Sequence, residues 1–305
     1  MMSVSRRQFL QTTGSATVGI PFVKSTNEQP QKPNALKIKV MATNWGFDGT
    51  TDAFCAKAKA AGYDGIELWV PAAGKPMDEL LAAVQKHQLE FAFLAGGSSA
   101  SFAEHRQQFE QMLRRGVAHK PLYMNCHTGK DYFSFEQNKT LIDLAAQVQQ
   151  ESGIKVLHET HRGKFSFAAH VTKEYLEKIA ALRLTLDISH WCNVSESLLD
   201  DQTDTVNLAL GRTEHIHARI GHAEGPQVND PRAPEWEKAL NKHLSWWDKV
   251  VDRKRQAGES FVSFTTEFGP PAYLPTVPFT QMPLANQWEI NVFMMNILRK
   301  RYSDL

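Results

Sequence analysis

The chain has 305 residues, 42% of them hydrophobic, which is enough to bury a full core, and α/β barrels of this length commonly form one domain. Its formal charge of +1 and pI near 7.8 supply no electrostatic footprint for a phosphate polymer or an anionic membrane, so composition argues against nucleic acid as a partner. Three cysteines, Cys55, Cys126 and Cys192, show no CxxC spacing and leave one unpaired in any scheme; they read as small core residues rather than as a disulfide framework or zinc ligands.

The first residues, SRRQFLQTTGSATVGIPFV, pair Arg6 with Arg7, follow with Phe9 and Leu10, and continue into a weakly apolar stretch without acidic residues. This resembles a twin-arginine export signal. The expectation is a signal and linker over residues 1–33, a folded domain over 34–305, and a periplasmic or otherwise exported location, with the cytoplasm as the alternative. No later segment approaches the length of a membrane span.

From Leu36 onward, short β-branched or apolar runs alternate with amphipathic stretches. KIKVMATNWG, DGIELWVP, EFAFLAGG, PLYMNCHTG and IKVLHETHRGK read as the first five strands, each followed by a helical pattern. RLTLDISHW is the sixth, with a short helix over 204–211, and TEHIHARIGHAEG is the seventh, with a long helix over 234–257. SFVSFTTEFGP is the eighth, with a final helix over 287–301. Eight such units predict a single (β/α)8 TIM barrel, and the absence of GxGxxG after the first strand removes support for a dinucleotide fold. The long connections over 221–234 and 270–284 follow strands seven and eight, where a barrel has its active-site mouth; the loop AEGPQVNDPRAPEW is expected to cover it.

Strands five to eight each end in a metal-ligand side chain: Glu159, Asp187, His217 and Glu267. Side chains alternate along a barrel strand, so an inward Glu159 carries Leu157 and His161 with it, and Asp187 carries Thr185. In the same way His217 carries His215 and Arg219, and Glu267 carries Thr265 and Ser263. Burying three carboxylates without a cation is expensive, so the set predicts one divalent ion, with Mn, Mg, Co and Zn all compatible. Aromatic residues near strand ends, Trp45, Trp69, Trp191 and Phe268, are candidates to present a ring face to a sugar. His127 and Asn125 share a face of strand four. The cluster His161, Arg162, Lys164 after Glu159 could grip a polar handle of a substrate.

These residues resemble the xylose-isomerase-like barrels, a family that includes sugar isomerases and epimerases, inosose dehydratases and endonuclease IV. In its ketose 3-epimerase branch the single ion is held by Glu, Asp, His and Glu from strands five to eight, which fall here on Glu159, Asp187, His217 and Glu267. The resemblance implies substrate contact by His190, three residues after the Asp. It also implies an Arg beyond the metal His, but that spacing lands on non-basic Ala223, leaving Arg219 as the nearest substitute. Glu159 and Glu267 would then be the acid/base pair that removes and returns a proton through an enediolate, with His127, Trp45, Trp69 and Arg162 as further substrate-binding candidates. The alternative is β-elimination on a keto-glycoside or keto-inositol, with His190 or His127 as general acid. An endonuclease reading is carried by His127 and Asp230, but strand three has no histidine and Arg232 stands where that enzyme has another ligand. A barrel that binds carbohydrate without turning it over is the remaining class. The final helix is apolar enough to pack on the barrel or on a second copy in a homo-oligomer.

Overall fold

A computed structural model describes residues 35–305, and the expected export signal lies outside them. Strand β1 (Lys37–Thr43) pairs in parallel with β2 (Gly65–Trp69) on one side and with β8 (Phe261–Thr266) on the other. The second pairing runs from Lys37 opposite Phe261 to Ala42 opposite Thr266 and closes the sheet on itself. Between them lie β3 (Glu90–Gly96), β4 (Met124–His127), β5 (Val156–Glu159), β6 (Leu184–Leu186) and β7 (Thr213–His217), in chain order around an eight-stranded barrel. Outside it are α1 (Thr51–Ala61), α2 (Lys75–Lys86), α3 (Phe102–Val117), α4 (Phe135–Ser152), α5 (Ala169–Lys178), α7 (Thr203–Leu210), α8 (Glu237–Gln256) and α9 (Gln287–Arg301). This is the (β/α)8 barrel that the alternation predicts. One short helix, α6 (Ser189–Val194), replaces what reads as a continuation of strand six. Asp187 turns the chain there by accepting the Ser189 backbone N–H at 3.2 Å, a local side-chain bond of the kind that starts turns.

Period-two alternation divides the strands into two layers. Val40, Ile66, Phe93, Leu184, Ile216 and Phe264 face outward and join helix residues such as Phe54, Phe109, Leu141, Leu176, Trp247 and Met294 in one apolar core. The three cysteines are buried in this layer with free thiols. The inner layer is different: its apolar part is a small group of Met41, Ala92, Tyr123 and Leu157. Glu67 on β2 and the inward positions nearest the carboxyl ends of β4 to β8 are polar, so that side of the interior is charged. Helix α9 spends its apolar side on the barrel, burying Ile290, Met294, Met295 and Leu298.

The connection over residues 218–236 is tied down along its length. Val228 N–H donates to the Ile220 carbonyl at 2.9 Å, and Gln227 exchanges hydrogen bonds with the backbone of Gly269 at 2.7 and 3.2 Å. Asp230 is taken up by Arg232 two residues on. Only Arg219, at the start of this connection, lines the cavity; contrary to the sequence expectation, residues 223–236 do not. Asp230 and Asn229 find partners within the loop and Gln227 at the β8 end, while Tyr273 of the connection after β8 lines the cavity.

Gly65 opens β2 where there is no room for a side chain: a Cβ there would lie 2.5 Å from the Glu90 carbonyl oxygen, which is backbone and cannot step aside. Gly65→Ala is expected to cost about 1–3 kcal/mol by overpacking, read as a lowered urea midpoint with an unchanged m-value.

Candidate functional site

The inward residues converge as the parity argument requires. One ligand-capable atom each of Glu159, Asp187, His217 and Glu267 lies within 4.8 Å of all the others, and all four residues are buried. Glu159 ends β5 and His217 ends β7, while Asp187 and Glu267 stand one residue beyond β6 and β8. Two overlapping groups of ligand-capable side chains accompany this one, Glu67 with His215 and His217, and His127 with Glu159 and His161.

Each carboxylate is held by its surroundings. Glu159 Oε2 accepts from Asn125 Nδ2 at 2.7 Å and lies 2.9 Å from His127 Nε2. Its other oxygen, Oε1, is buried without a hydrogen-bond partner among the described residues and lies 3.6 Å from His217 Nδ1. Asp187 accepts from Arg219 Nη2 and from the Ser189 hydroxyl. Glu267 Oε2 stands 2.8 Å from His217 Nδ1 and 3.5 Å from Arg219 Nη2. The donor set, three carboxylates and one imidazole, suits a hard divalent cation. The unpartnered Glu159 oxygen, turned toward the His217 nitrogen, fits that occupant, because a buried acceptor without a partner is otherwise costly.

Protonation follows from this crowding. Burial favours the neutral form of Glu159, but the imidazoles of His127 and His217 outweigh it and hold the carboxyl below its usual range. Burial pushes Asp187 up to about 6, with the Arg219 guanidinium pulling the other way. For His217, burial favours the neutral ring, yet Glu267, Glu159 and Glu67 surround it and raise its pKa well above the ordinary value. His161 is pushed down to about 3 by burial and by His127 beside it, so it is a neutral imidazole.

A cavity of about 400 Å³ reaches the group at Glu267, while Glu159, Asp187 and His217 lie behind its lining. One wall is largely apolar and comes from β1 to β3: Trp45, Leu68, Trp69 and Leu94. The opposite wall is polar, with His127, His161, Arg219 and Glu267, and Tyr273 from the β8–α9 connection closes one side. Trp45 and Trp69 are 36% and 47% exposed, unusually open for tryptophan at a concave site. Trp45 packs edge-on against Tyr273 and Trp69 against His127, with ring centroids 4.9 and 5.1 Å apart.

Other sequence candidates lie elsewhere. His190 is fully buried behind the wall, with Nε2 2.9 Å from Arg219 Nη2 and its ring 4.0 Å from that of His161, so it does not line the cavity. Arg162 is exposed at the rim with its guanidinium 4.9 Å from the Tyr273 ring. Trp191 and Phe268 are core residues, a correction to their expected place at the mouth. Trp191 lies in α6 and donates its indole N–H to the Ser166 carbonyl at 2.8 Å. Phe268 follows inward Glu267 and is buried in the outer core.

Three residues of the site escape the sequence reading: Glu67, Tyr123 and Tyr273. Glu67 is an inward carboxylate on β2, wholly buried beneath His217. Its signal was a single charge between Ile66 and Leu68 in an otherwise apolar strand.

Residues 55–268 match the family model described as Xylose isomerase-like TIM barrel, and the chain belongs to that family. Solved structures similar to it include a 3-keto-D-glucoside 4-epimerase from E. coli, at 13% identity over 87% of this chain and 100% of that one, with a TM-score of 0.59. A sugar phosphate isomerase/epimerase from Parabacteroides distasonis is 11% identical over 86% and 98% of the two chains, with a TM-score of 0.56. Endonuclease IV from Thermus thermophilus is 13% identical over 88% and 99%, with a TM-score of 0.52. At these identities the likeness is one of fold. No curated protein sequence matches the chain. No helix of the described residues is long and apolar enough to cross a membrane.

Arg219 is a fully buried cation between two of the carboxylates. Arg219→Met is expected to destabilise the protein in excess chelator by about 3–5 kcal/mol, because it leaves buried acidic groups without their partner; urea denaturation in EDTA measures this.

Proposed function

We propose that the protein is a divalent-metal-dependent isomerase or epimerase acting on a sugar or keto-glycoside, with Glu159 and Glu267 as its acid/base pair. The observation that carries this reading is the position of Glu267. It belongs to the ligand-capable group, is 8% exposed, and lines the cavity. Glu159, Asp187, His217 and Glu267 would hold the ion, which when bound would polarise the substrate carbonyl and stabilise the anion formed beside it.

The chain's own residues account for the remaining steps. A sugar ring lying against Trp45 and Trp69 presents its C–H face to the aromatic wall and its hydroxyls to the polar one. Glu267 takes the proton from the carbon next to the carbonyl; the C–H electron pair moves onto the carbonyl oxygen as an enediolate. Arg219, at 3.5 Å from Glu267 and also facing the cavity, adds positive charge on the side where that anion develops. Glu159, from the other side, returns a proton to the same carbon and inverts it. Its low proton affinity makes it a poor acid alone, so His127, 2.9 Å away and open to the cavity, is the group that reloads it.

The second reading is β-elimination, and the position of His127 supports it. After Glu267 removes the same proton, the electron pair forms a carbon–carbon double bond and expels the oxygen substituent of the adjacent carbon, which takes a proton from His127. The pair Glu159 and Glu267 argues against a purely binding role, which does not need two bases on opposite faces of a sugar. The near-zero net charge of the chain argues against a phosphate backbone as the substrate.

The test is metal content first: about one tightly held ion per chain, lost in His217→Ala, is expected after equilibration with Mn and Zn. Keto-sugars and keto-glycosides incubated in D2O should then take up deuterium at the carbon next to the carbonyl. Inverted configuration, with the mass raised only by the exchanged deuterium, identifies epimerisation, while release of a leaving group with a conjugated enone identifies elimination. Glu267→Gln and Glu159→Gln should still bind sugar but lose turnover by about 10²–10⁴-fold; full turnover in either would sink the two-carboxylate mechanism.

A further inference from the structure

Below the ligand-capable group, the barrel interior holds a polar cluster that the mechanism above does not use. Its centre is Glu67. Oε2 of this carboxylate accepts from the Tyr123 hydroxyl at 2.5 Å and the Thr265 hydroxyl at 2.6 Å, and lies 3.0 Å from His215 Nε2. Oε1 accepts from Asn125 Nδ2 at 3.2 Å and lies 2.8 Å from His217 Nε2. His215 is anchored in turn by Ser263, whose hydroxyl is 2.8 Å from Nδ1. Glu67, His215, Ser263, Thr265, Tyr123 and Asn125 are all buried, and none of them lines the cavity.

An apolar residue could fill this position in a barrel interior, and a buried carboxylate is costly unless several donors satisfy it. Glu67 has a full set of donors, and two of them lead directly to candidate ligands. His217 has one nitrogen on each layer: Nδ1 faces Glu267 at 2.8 Å and Glu159 at 3.6 Å, and Nε2 faces Glu67. An imidazole that donates its Nε2–H downward to a carboxylate keeps its Nδ1 lone pair directed upward, and the negative partner makes that nitrogen a better donor to a cation. Asn125 provides the second connection. Its amide nitrogen bonds Glu67 at 3.2 Å and Glu159 at 2.7 Å, so the same carboxylate sets the amide that orients Glu159.

We propose that Glu67 is the positioning residue of the metal centre: its fully bonded carboxylate fixes the tautomer and ring plane of His217 and, through Asn125, the orientation of Glu159, so that both present free ligand atoms to a divalent cation. The inference rests on the reading that Glu159, Asp187, His217 and Glu267 hold such an ion. Glu67 itself touches neither ion nor substrate. Tyr123 and Thr265 bond its far oxygen, Oε2, on the side away from His217, and satisfy the buried charge there.

The experiment is Mn(II) titration of the full chain, with free ion followed by electron paramagnetic resonance, in wild type, Glu67→Gln and Tyr123→Phe, alongside thermal melts in chelator. Glu67→Gln, which keeps the shape and removes the charge, should weaken Mn(II) binding by about 10–100-fold. Tyr123→Phe removes a donor on the side away from His217; it should lower the melting temperature while leaving Mn(II) affinity close to wild type. Wild-type affinity in folded Glu67→Gln overturns the proposal, as does an equal affinity loss in both variants, which would mark a general effect of disturbing the barrel interior. If Glu67→Gln does not fold, the unmodified protein decides. Histidine ¹⁵N spectra of its Zn(II)-loaded form should show His217 protonated at Nε2 and unprotonated at Nδ1, and the opposite tautomer refutes the role. A wild-type protein that binds no divalent ion refutes the metal-dependent reading itself, a result distinct from normal binding in Glu67→Gln.

Discussion

The interior of this barrel is organised around buried negative charge. Four carboxylates, Glu67, Glu159, Asp187 and Glu267, are buried on inward-facing positions near one another. Carboxylates taken out of water must be neutralised, bonded or paired with a cation. The protein supplies Arg219 between Asp187 and Glu267, the raised proton affinity of His217 between Glu67 and Glu267, and hydroxyl and amide donors below. These contacts leave Glu159 Oε1 a buried carboxylate oxygen without a hydrogen-bond partner among the described residues, 3.6 Å from His217 Nδ1. The proposed divalent ion is therefore an answer to a charge imbalance that the chain's own cations do not fully resolve.

That imbalance was partly legible in the sequence, for a definite physical reason. Strand side chains alternate, and the ends of parallel barrel strands converge, so ligand types at the ends of four successive strands are brought together whatever the loops do. The same rule, applied to its neighbour, sends Phe268 outward once Glu267 points in; the expectation of a cavity-facing ring there ignored alternation. Trp191 failed differently, because Asp187 stops the strand and a helical turn follows, so strand parity no longer applies. Glu67 was hidden by depth: it lies one layer below the strand ends, where a carboxylate has meaning only through partners on β4, β7 and β8. Tyr273 lies in an irregular connection without periodicity, and nothing in the local sequence indicates that its ring packs between Arg162 and Arg219.

The loops divide the work in a way that composition does not reveal. The connection after β7 is rich in charged residues, yet it pairs Asp230 with Arg232 internally and braces the end of β8 through Gln227. The connection after β8 has fewer charges and reaches the cavity through Tyr273. What matters at the mouth is which side chains remain free of local partners, and that depends on the backbone path.

The two walls of the cavity come from different arcs of the barrel. Trp45, Leu68, Trp69 and Leu94 are supplied by β1 to β3 and their ends, whereas the groups able to move protons or hold charge come from β4 to β8. Glu67 is the exception, and it reaches across the interior from below. Under the proposed function, a chain built this way could exchange residues on its apolar arc and admit a differently shaped ring or aglycone without disturbing the charged arc. On that reading, diversification of what is accepted would be separated from the chemistry.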